Sequence, residues 1–283
     1  MKICIVGLGL IGGSYAMGLS SKGHEVYGID KNIDTINYAI NNGYIKNGTV
    51  DNYSILSEMD LIILAIYPQS ILTFLSENNH YFNKNQVITD VCGIKTSFVS
   101  KAALLSGEAV YLSHHPMAGK EKIGIEYADS KIFNGANFLI TPIDNTPESS
   151  IELLKGIGHD LEFGRITVIT PERHDKMIGF TSQLTHAIAV SLVNSDHDEE
   201  TKSFIGDSYR DLTRIAMINE KLWSELFLEN KNELLAHIES FEVELDILKN
   251  ALKTNDKDKL NELFKNSTVV RKKMEKWESL IYH

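Results

Sequence analysis

The first nineteen residues constrain the fold more than any other stretch. Lys2-Ile3-Cys4-Ile5-Val6 is an apolar, β-branched run long enough for one buried strand. Gly7-Leu8-Gly9-Leu10-Ile11-Gly12 follows at once, and Gly13 to Leu19 reads as the first turns of a helix. A G-x-G-x-x-G run lying between a strand and a helix signals a dinucleotide-binding turn. In such a turn Gly7 permits the tight bend, Gly9 lets the backbone approach a pyrophosphate, and Gly12 lets helix and strand pack closely. The unpaired N–H groups at the helix start then face the phosphates, so Gly7, Leu8, Gly9, Leu10, Ile11 and Gly12 together form the candidate loop. His24 to Asp30 supplies a second strand ending in an acid, at the distance of about twenty residues that the fingerprint asks. A carboxylate at Asp30 accepts hydrogen bonds from ribose hydroxyls and repels a 2′-phosphate, which points to NAD rather than NADP. Lys31 beside it softens that preference. The alternative is a glycine-rich turn with no ligand.

Further apolar runs at Met59–Ile66, Gln86–Val91, Ala109–Ser113, Asn137–Thr141 and Arg165–Thr170 alternate with helical stretches. Near-continuous apolar strands of this kind predict a parallel sheet covered on both faces, an α/β fold of Rossmann type. The pattern changes at Thr170-Pro171-Glu172, which combines an N-cap threonine, proline at the first helical position and an acid. After Pro171 there is no proline, and apolar residues recur at helical spacing, as in Leu234, Leu235, Ile238, Phe241, Leu245 and Leu248. We therefore expect a dinucleotide-binding domain over residues 1–170 and an all-helical domain over residues 171–283. The wide apolar faces of the second part suggest an intertwined homodimer. His174 and Asp175, in the first turns of the boundary helix, read as a structural hydrogen bond or a cap. Lys253 to Lys273 reads as a solvated helix face.

The net charge of −10 argues against nucleic acid or a membrane surface as partner. No apolar run is long enough to span a bilayer, and Met1-Lys2 leads directly into a core strand without a cleavable signal. Cys4 and Cys92 lie in or beside core strands and are not spaced as a metal or redox pair. They read as buried thiols in a reducing, cytoplasmic setting. No histidine spacing suggests a metal site.

A second informative stretch is Ser113-His114-His115-Pro116-Met117-Ala118-Gly119-Lys120-Glu121-Lys122-Ile123-Gly124, after a strand of the expected sheet. It resembles the H-P-[MI]-A-G-x-E-x-x-G signature of the prephenate and arogenate dehydrogenases of tyrosine biosynthesis. Thr181 to Ala189 is similar to that family's S-[HQ]-L-P-H-x-x-A helix, and Tyr209 to Ala216 to its D-[FL]-T-R-I-A segment. Leu222-Trp223 and Phe227 to Lys231 fit the family's pattern just beyond that segment. There are two departures. Gly93 stands where the family's D-x-G-S-x-K turn has serine, and Thr185 stands where proline usually precedes the histidine. Some members also carry a regulatory ACT domain, for which a chain of 283 residues has no room.

The resemblance implies oxidative decarboxylation of prephenate to 4-hydroxyphenylpyruvate, with hydride passing to NAD. His115 is the expected proton acceptor, since the motif places its histidine directly before proline; packing above the sheet is the alternative. Arg214 is the expected partner of a substrate carboxylate, with Arg210 four residues earlier as a second cation or as a partner of surface acids. His186 is expected to hydrogen-bond the pyruvyl side chain or else to pack in a core, and Glu121 to pair with Arg214 near the entrance. At Gly93 three readings stand: a water replaces the serine hydroxyl, Thr96 or Ser97 reaches back, or the loop needs a positive φ. Arogenate is the alternative substrate. Another hydroxyacid-type dehydrogenase and a non-catalytic NAD-binding protein are the rival functions.

Overall fold

A computed structural model describes residues 1–120 and 122–279, with side chains described through residue 275. Alternation along the first strands sets the architecture. In β1 (Lys2–Val6) and β4 (Leu61–Leu64), Ile3, Ile5, Leu61 and Ile63 enter one apolar core, while Cys4, Val6, Ile62 and Leu64 enter another. Both faces of these strands are therefore covered. The two cores are roofed by helices packed on opposite sides, which is why the strands read as unbroken apolar runs.

Six strands run parallel in the order β3 (Asn47–Thr49), β2 (Glu25–Ile29), β1, β4, β5 (Val87–Asp90) and β6 (Val110–Tyr111). The order reverses beside β1, and the crevice at such a reversal is where open α/β sheets hold their ligands. Helix α1 (Leu10–Ser21) starts over this crevice, and α2 (Ile33–Asn41), α3 (Pro68–Asn78) and α4 (Val99–Leu105) follow β2, β4 and β5 along the chain.

The single parallel sheet expected from the sequence is in fact two sheets. The apolar run at Ala109–Ser113 leaves the first sheet after Tyr111, and β7 (Ser113–Pro116) begins a second. There β7 pairs antiparallel with β8 (Asn137–Thr141), which pairs parallel with β9 (Arg165–Val168). The apolar periodicity continues through Leu112, so it carries no mark of the change of sheet. Helix α5 (Glu148–Asp160) covers this smaller sheet through Ile151, Leu154 and Ile157.

Helix α6 (Pro171–Ile178) follows β9, capped as expected by the Thr170 hydroxyl, which accepts the N–H of Arg173 at 3.2 Å. The same rod widens into one π turn at Gly179–Gln183, where Leu184 N–H bonds the carbonyl of Gly179, and resumes as α7 (Leu184–Asn194). Helices α8 (Asp207–Thr213), α9 (Glu220–Glu229), α10 (Lys231–Lys253) and α11 (Lys257–Ser279) complete the second half. Leu235, Phe241, Val243, Leu245, Leu252 and Phe264 stay exposed along the last two. An apolar face of that extent is what a partner subunit covers. No described helix is long and apolar enough to cross a membrane.

Candidate active site

A cavity of about 1110 Å³ runs between the two halves, large enough for a dinucleotide and a small substrate together. At one end it is lined by Gly7, Gly9, Leu10, Ile11 and Asp30. Gly7 has a φ of +88°, a conformation that glycine adopts without steric cost. A Cβ on Gly12 would lie 1.8 Å from the Gly7 carbonyl oxygen, so only glycine lets α1 approach β1 this closely. A Cβ on Gly9 would meet nothing within 4 Å, and Gly9 is the N-cap of α1 with no side chain across its first N–H groups. That open cradle of donors fits a pyrophosphate. Leu8 and Gly12 lie behind the lining. Leu8 is buried and its N–H donates to Asp30 Oδ2 at 2.8 Å, while Asn32 N–H donates to Asp30 Oδ1 at 2.9 Å. These bonds aim the carboxylate at the end of β2, where the ribose of a dinucleotide would lie.

The middle of the cavity is built on β7. Alternation sends its two histidines to opposite faces. His114 goes inward and is wholly buried: Tyr15 Oη lies 2.7 Å from its Nε2, Thr89 Oγ1 lies 2.6 Å from its Nδ1, and Phe138 stacks on it at 4.6 Å. Burial pushes its pKa down to about 3, so it is a neutral core residue. His115 faces the cavity. Its Nδ1 lies 2.9 Å from His174 Nε2, and His174 Nδ1 lies 2.7 Å from Asp175 Oδ1. Burial, and then the neighbouring His174, Lys95 and His114, hold the His115 pKa well below the ordinary histidine range. The ring is neutral at physiological pH and able to accept a proton.

The turn after β5 lies over His115. Lys95 is fully buried, and its ammonium donates to Asp90 Oδ1 at 2.9 Å, the Cys92 carbonyl at 2.7 Å and the His114 carbonyl at 2.8 Å. All three of its protons are used, as a buried charge requires. This clamp joins the 90–95 turn to β7 and brings Gly93 over the His115 ring. A Cβ on Gly93 would sit 3.6 Å from His115 Cε1 and 3.7 Å from Nε2, ordinary contact distances. Gly93 is also absent from the glycines with positive φ, so the backbone reading of this departure is set aside. Thr96 is exposed and does not line the cavity, and it is turned toward Asp175, to which its N–H donates at 2.7 Å.

The far wall is helical. The π turn and the helix after it bring Ser182, Gln183 and His186 to the cavity wall, with Gln183 buried in it. There Asn230 donates to Gln183 Oε1 at 2.8 Å and to the Asp175 carbonyl at 3.0 Å. His186 Nδ1 bonds the Ser182 carbonyl at 2.9 Å, and its ring stacks on Trp223 with centroids 3.7 Å apart. Thr185, in place of the family proline, bonds the same carbonyl through Oγ1 at 2.6 Å. Arg214 opens the turn Arg214–Ala216 and is exposed beside the lining residue Ile215. Helix α8 ends at Thr213, so Arg210 and Arg214 do not share one continuous helix. Arg210 is exposed and donates to Asp207 Oδ1 at 2.7 Å, the surface-acid pairing foreseen as its alternative. Glu121 lies outside the described residues. Sequence reasoning did not connect His174 and Asp175 to His115. The only signal was a His-Asp pair in the first helical turn after the last strand. Among the described residues no group of three or more histidines, cysteines or acids could hold a metal ion.

A doubly wound sheet with an open glycine cradle, an acid at the end of β2 and a neutral histidine at mid-cavity defines an NAD-dependent oxidoreductase. Residues 15–165 match the family model described as prephenate dehydrogenase, nucleotide-binding domain, and residues 170–266 match prephenate dehydrogenase, dimerization domain. The chain belongs to the prephenate dehydrogenase family. It is 30% identical over 280 residues to the prephenate dehydrogenase of Bacillus subtilis (strain 168), covering 95% of this chain and 75% of that one. The structure of prephenate dehydrogenase from A. aeolicus in complex with hydroxyphenyl propionate and NAD+ superposes with a TM-score of 0.88, at 28% identity, over 97% of this chain and 98% of that one. Arogenate dehydrogenase of Synechocystis gives 0.84 at 25% identity, over 97% and 100%.

Proposed function

We propose that the chain converts prephenate to 4-hydroxyphenylpyruvate, with His115 as the proton acceptor. The observation that carries this reading is a neutral imidazole facing the cavity between the dinucleotide cradle and the His186–Trp223 wall. NAD, when bound, supplies the hydride acceptor. The protein's residues do the rest. The cradle at Gly9 and the carboxylate of Asp30 hold the cofactor at one end. His115 accepts the hydroxyl proton as hydride leaves the same ring carbon. The bond to the ring carboxylate breaks, CO2 departs, and its electron pair completes the aromatic ring. The proton returns from His115 to the oxygen, giving the phenol, so atoms and charge balance. Arg214 is proposed to grip one substrate carboxylate and His186 to hydrogen-bond the side-chain keto group. Arg210 would first have to release Asp207, and we assign it no contact with bound substrate. Glu121 is proposed to stand near the entrance.

We also propose that residues 1–170 and 171–283 act as the two domains, that helical faces pair in a homodimer, and that the enzyme works in the cytoplasm. Supporting these are the family's dimerization domain, the exposed apolar faces of α10 and α11, and two buried free cysteines. Arogenate is a second candidate substrate, favoured by the likeness to the Synechocystis enzyme. Mixing purified protein with prephenate or arogenate, and with NAD or NADP, tests the reading through absorbance of the reduced nicotinamide. We expect turnover with prephenate and a preference for NAD. No turnover with either substrate overturns the proposal.

A further inference from the structure

His174 and Asp175 meet His115 from behind. His174 is fully buried, Asp175 is 3% exposed, and neither lines the cavity. A buried carboxylate needs donors. Besides His174, Asp175 accepts the N–H of Lys95 at 2.9 Å and of Thr96 at 2.7 Å. Burial opposes its ionisation, but the bonds from His174 and Thr96 outweigh it and hold the carboxyl below its ordinary range. An ionised carboxylate only accepts, so the proton between the two residues resides on His174 Nδ1. Burial in turn lowers the His174 pKa, and in the neutral ring its Nε2 is then a bare acceptor. That acceptor faces His115 Nδ1 at 2.9 Å, so His115 donates from Nδ1. One ring nitrogen of His115 is left with a lone pair, Nε2. It is also the nitrogen beneath Gly93, on the cavity side.

We propose that His174 and Asp175 are positioning residues that fix His115 as its Nδ1–H tautomer, so that Nε2 is the atom that takes the substrate proton. This rests on the reading of His115 as the base. In isolation, imidazole favours neither tautomer by much, and a ring with Nε2 protonated could not accept the hydroxyl proton at the cavity. The same pair anchors the imidazolium once it forms, since a carboxylate stands two hydrogen bonds away. The Asp175 carboxylate also holds the start of the helix after the 90–95 turn, so its loss disturbs packing as well as tautomer. His174 separates the two effects.

The test begins with the unmodified protein. Nitrogen-15 spectra of histidine-labelled enzyme at pH 8, with His115 assigned by its absence in His115→Asn, should show Nδ1 protonated and Nε2 bare. A protonated Nε2 overturns the proposal whatever the activity. His174→Phe should lower kcat by about 10²-fold with the prephenate KM changed less than threefold, and should populate the other tautomer. His174→Gln keeps a carbonyl able to accept from Nδ1 and should recover at least a third of that loss on a logarithmic scale. The kcat profile of the unmodified enzyme should stay flat across neutral pH and fall only on the acid side of the ordinary histidine range. A folded His174→Phe protein with kcat within fivefold of the unmodified enzyme and an unchanged His115 tautomer makes the pair structural. If the unmodified protein oxidises neither prephenate nor arogenate, the proposed function fails, while the nitrogen shifts still decide the tautomer.

Discussion

The two walls of the cavity are built differently. On the sheet side each functional group is fixed by partners within that half of the chain or at its immediate border. Asp30 is held by Leu8 and Asn32, Gly93 by the Lys95 clamp, and His115 by His174. The Lys95 clamp is buried and the Leu8 and His174 contacts are partly so, which stiffens their geometry. On the helical side, His186 and Trp223 stack well, but Arg214 and Arg210 stand exposed, and Phe204, Leu212, Met217 and Leu228 around them are exposed apolar residues. That wall belongs to the family's dimerization domain, and its surface is of the kind a second subunit completes. The difference predicts a division of labour: the stiff wall acts on the reacting hydroxyl, and the open wall grips the substrate's charge.

The largest effect should come from the stiff wall. His115→Asn keeps a hydrogen-bonding shape and removes the base, so kcat should fall about 10²–10⁴-fold with little change in the prephenate KM. An equal rise in KM would break the division. On the open wall, Arg214→Ala should raise KM about 10- to 100-fold, the equivalent of about 1.5–3 kcal/mol for a charge-assisted bond, with kcat nearly unchanged. Steady-state kinetics beside sedimentation of the dimer would show whether the variant has instead lost only its assembly. The smallest effect returns to the stiff wall. Gly93→Ser should change kcat by no more than about tenfold, since a Cβ there meets His115 and Leu226 at ordinary distances of 3.6–3.7 Å and a neutral hydrogen bond contributes about 0.5–1.5 kcal/mol. Loss of folded protein on that substitution would show that the turn over His115 has less room than its geometry indicates.

Much of the sheet wall was legible in the sequence because its logic is local. A glycine loop between strand and helix, an acid at the end of the next strand and a histidine before proline each announce themselves within a few residues. The helical start at Thr170 was legible for the same reason, as a cap, a proline and an acid in sequence. What could not be read depends on distant pairs. The passage from the first sheet to the second at Leu112 leaves the apolar pattern unbroken. His174 reaches His115 across 59 residues, and Lys95 reaches the His114 carbonyl across 19. The π turn adds one residue to a helix whose periodicity hides it, and the pairing of Arg210 with Asp207 is the alternative to the second substrate cation that the sequence favours.

The tandem histidines of β7 make strand register a matter of function. Because side chains alternate, a slip of one residue against β8 would exchange His114 and His115 between core and cavity. The misaligned chain would still show an imidazole to the cavity, and little in its bulk or polarity would betray the error. In the slip that carries His115 to the Pro116 position, however, the core imidazole would lose the paired contacts from Tyr15 and Thr89, and the Lys95 ammonium would lose the His114 carbonyl. Those three contacts therefore add to the native register a stability that hydrophobicity alone does not supply, and the native register is the one that delivers His115 to His174.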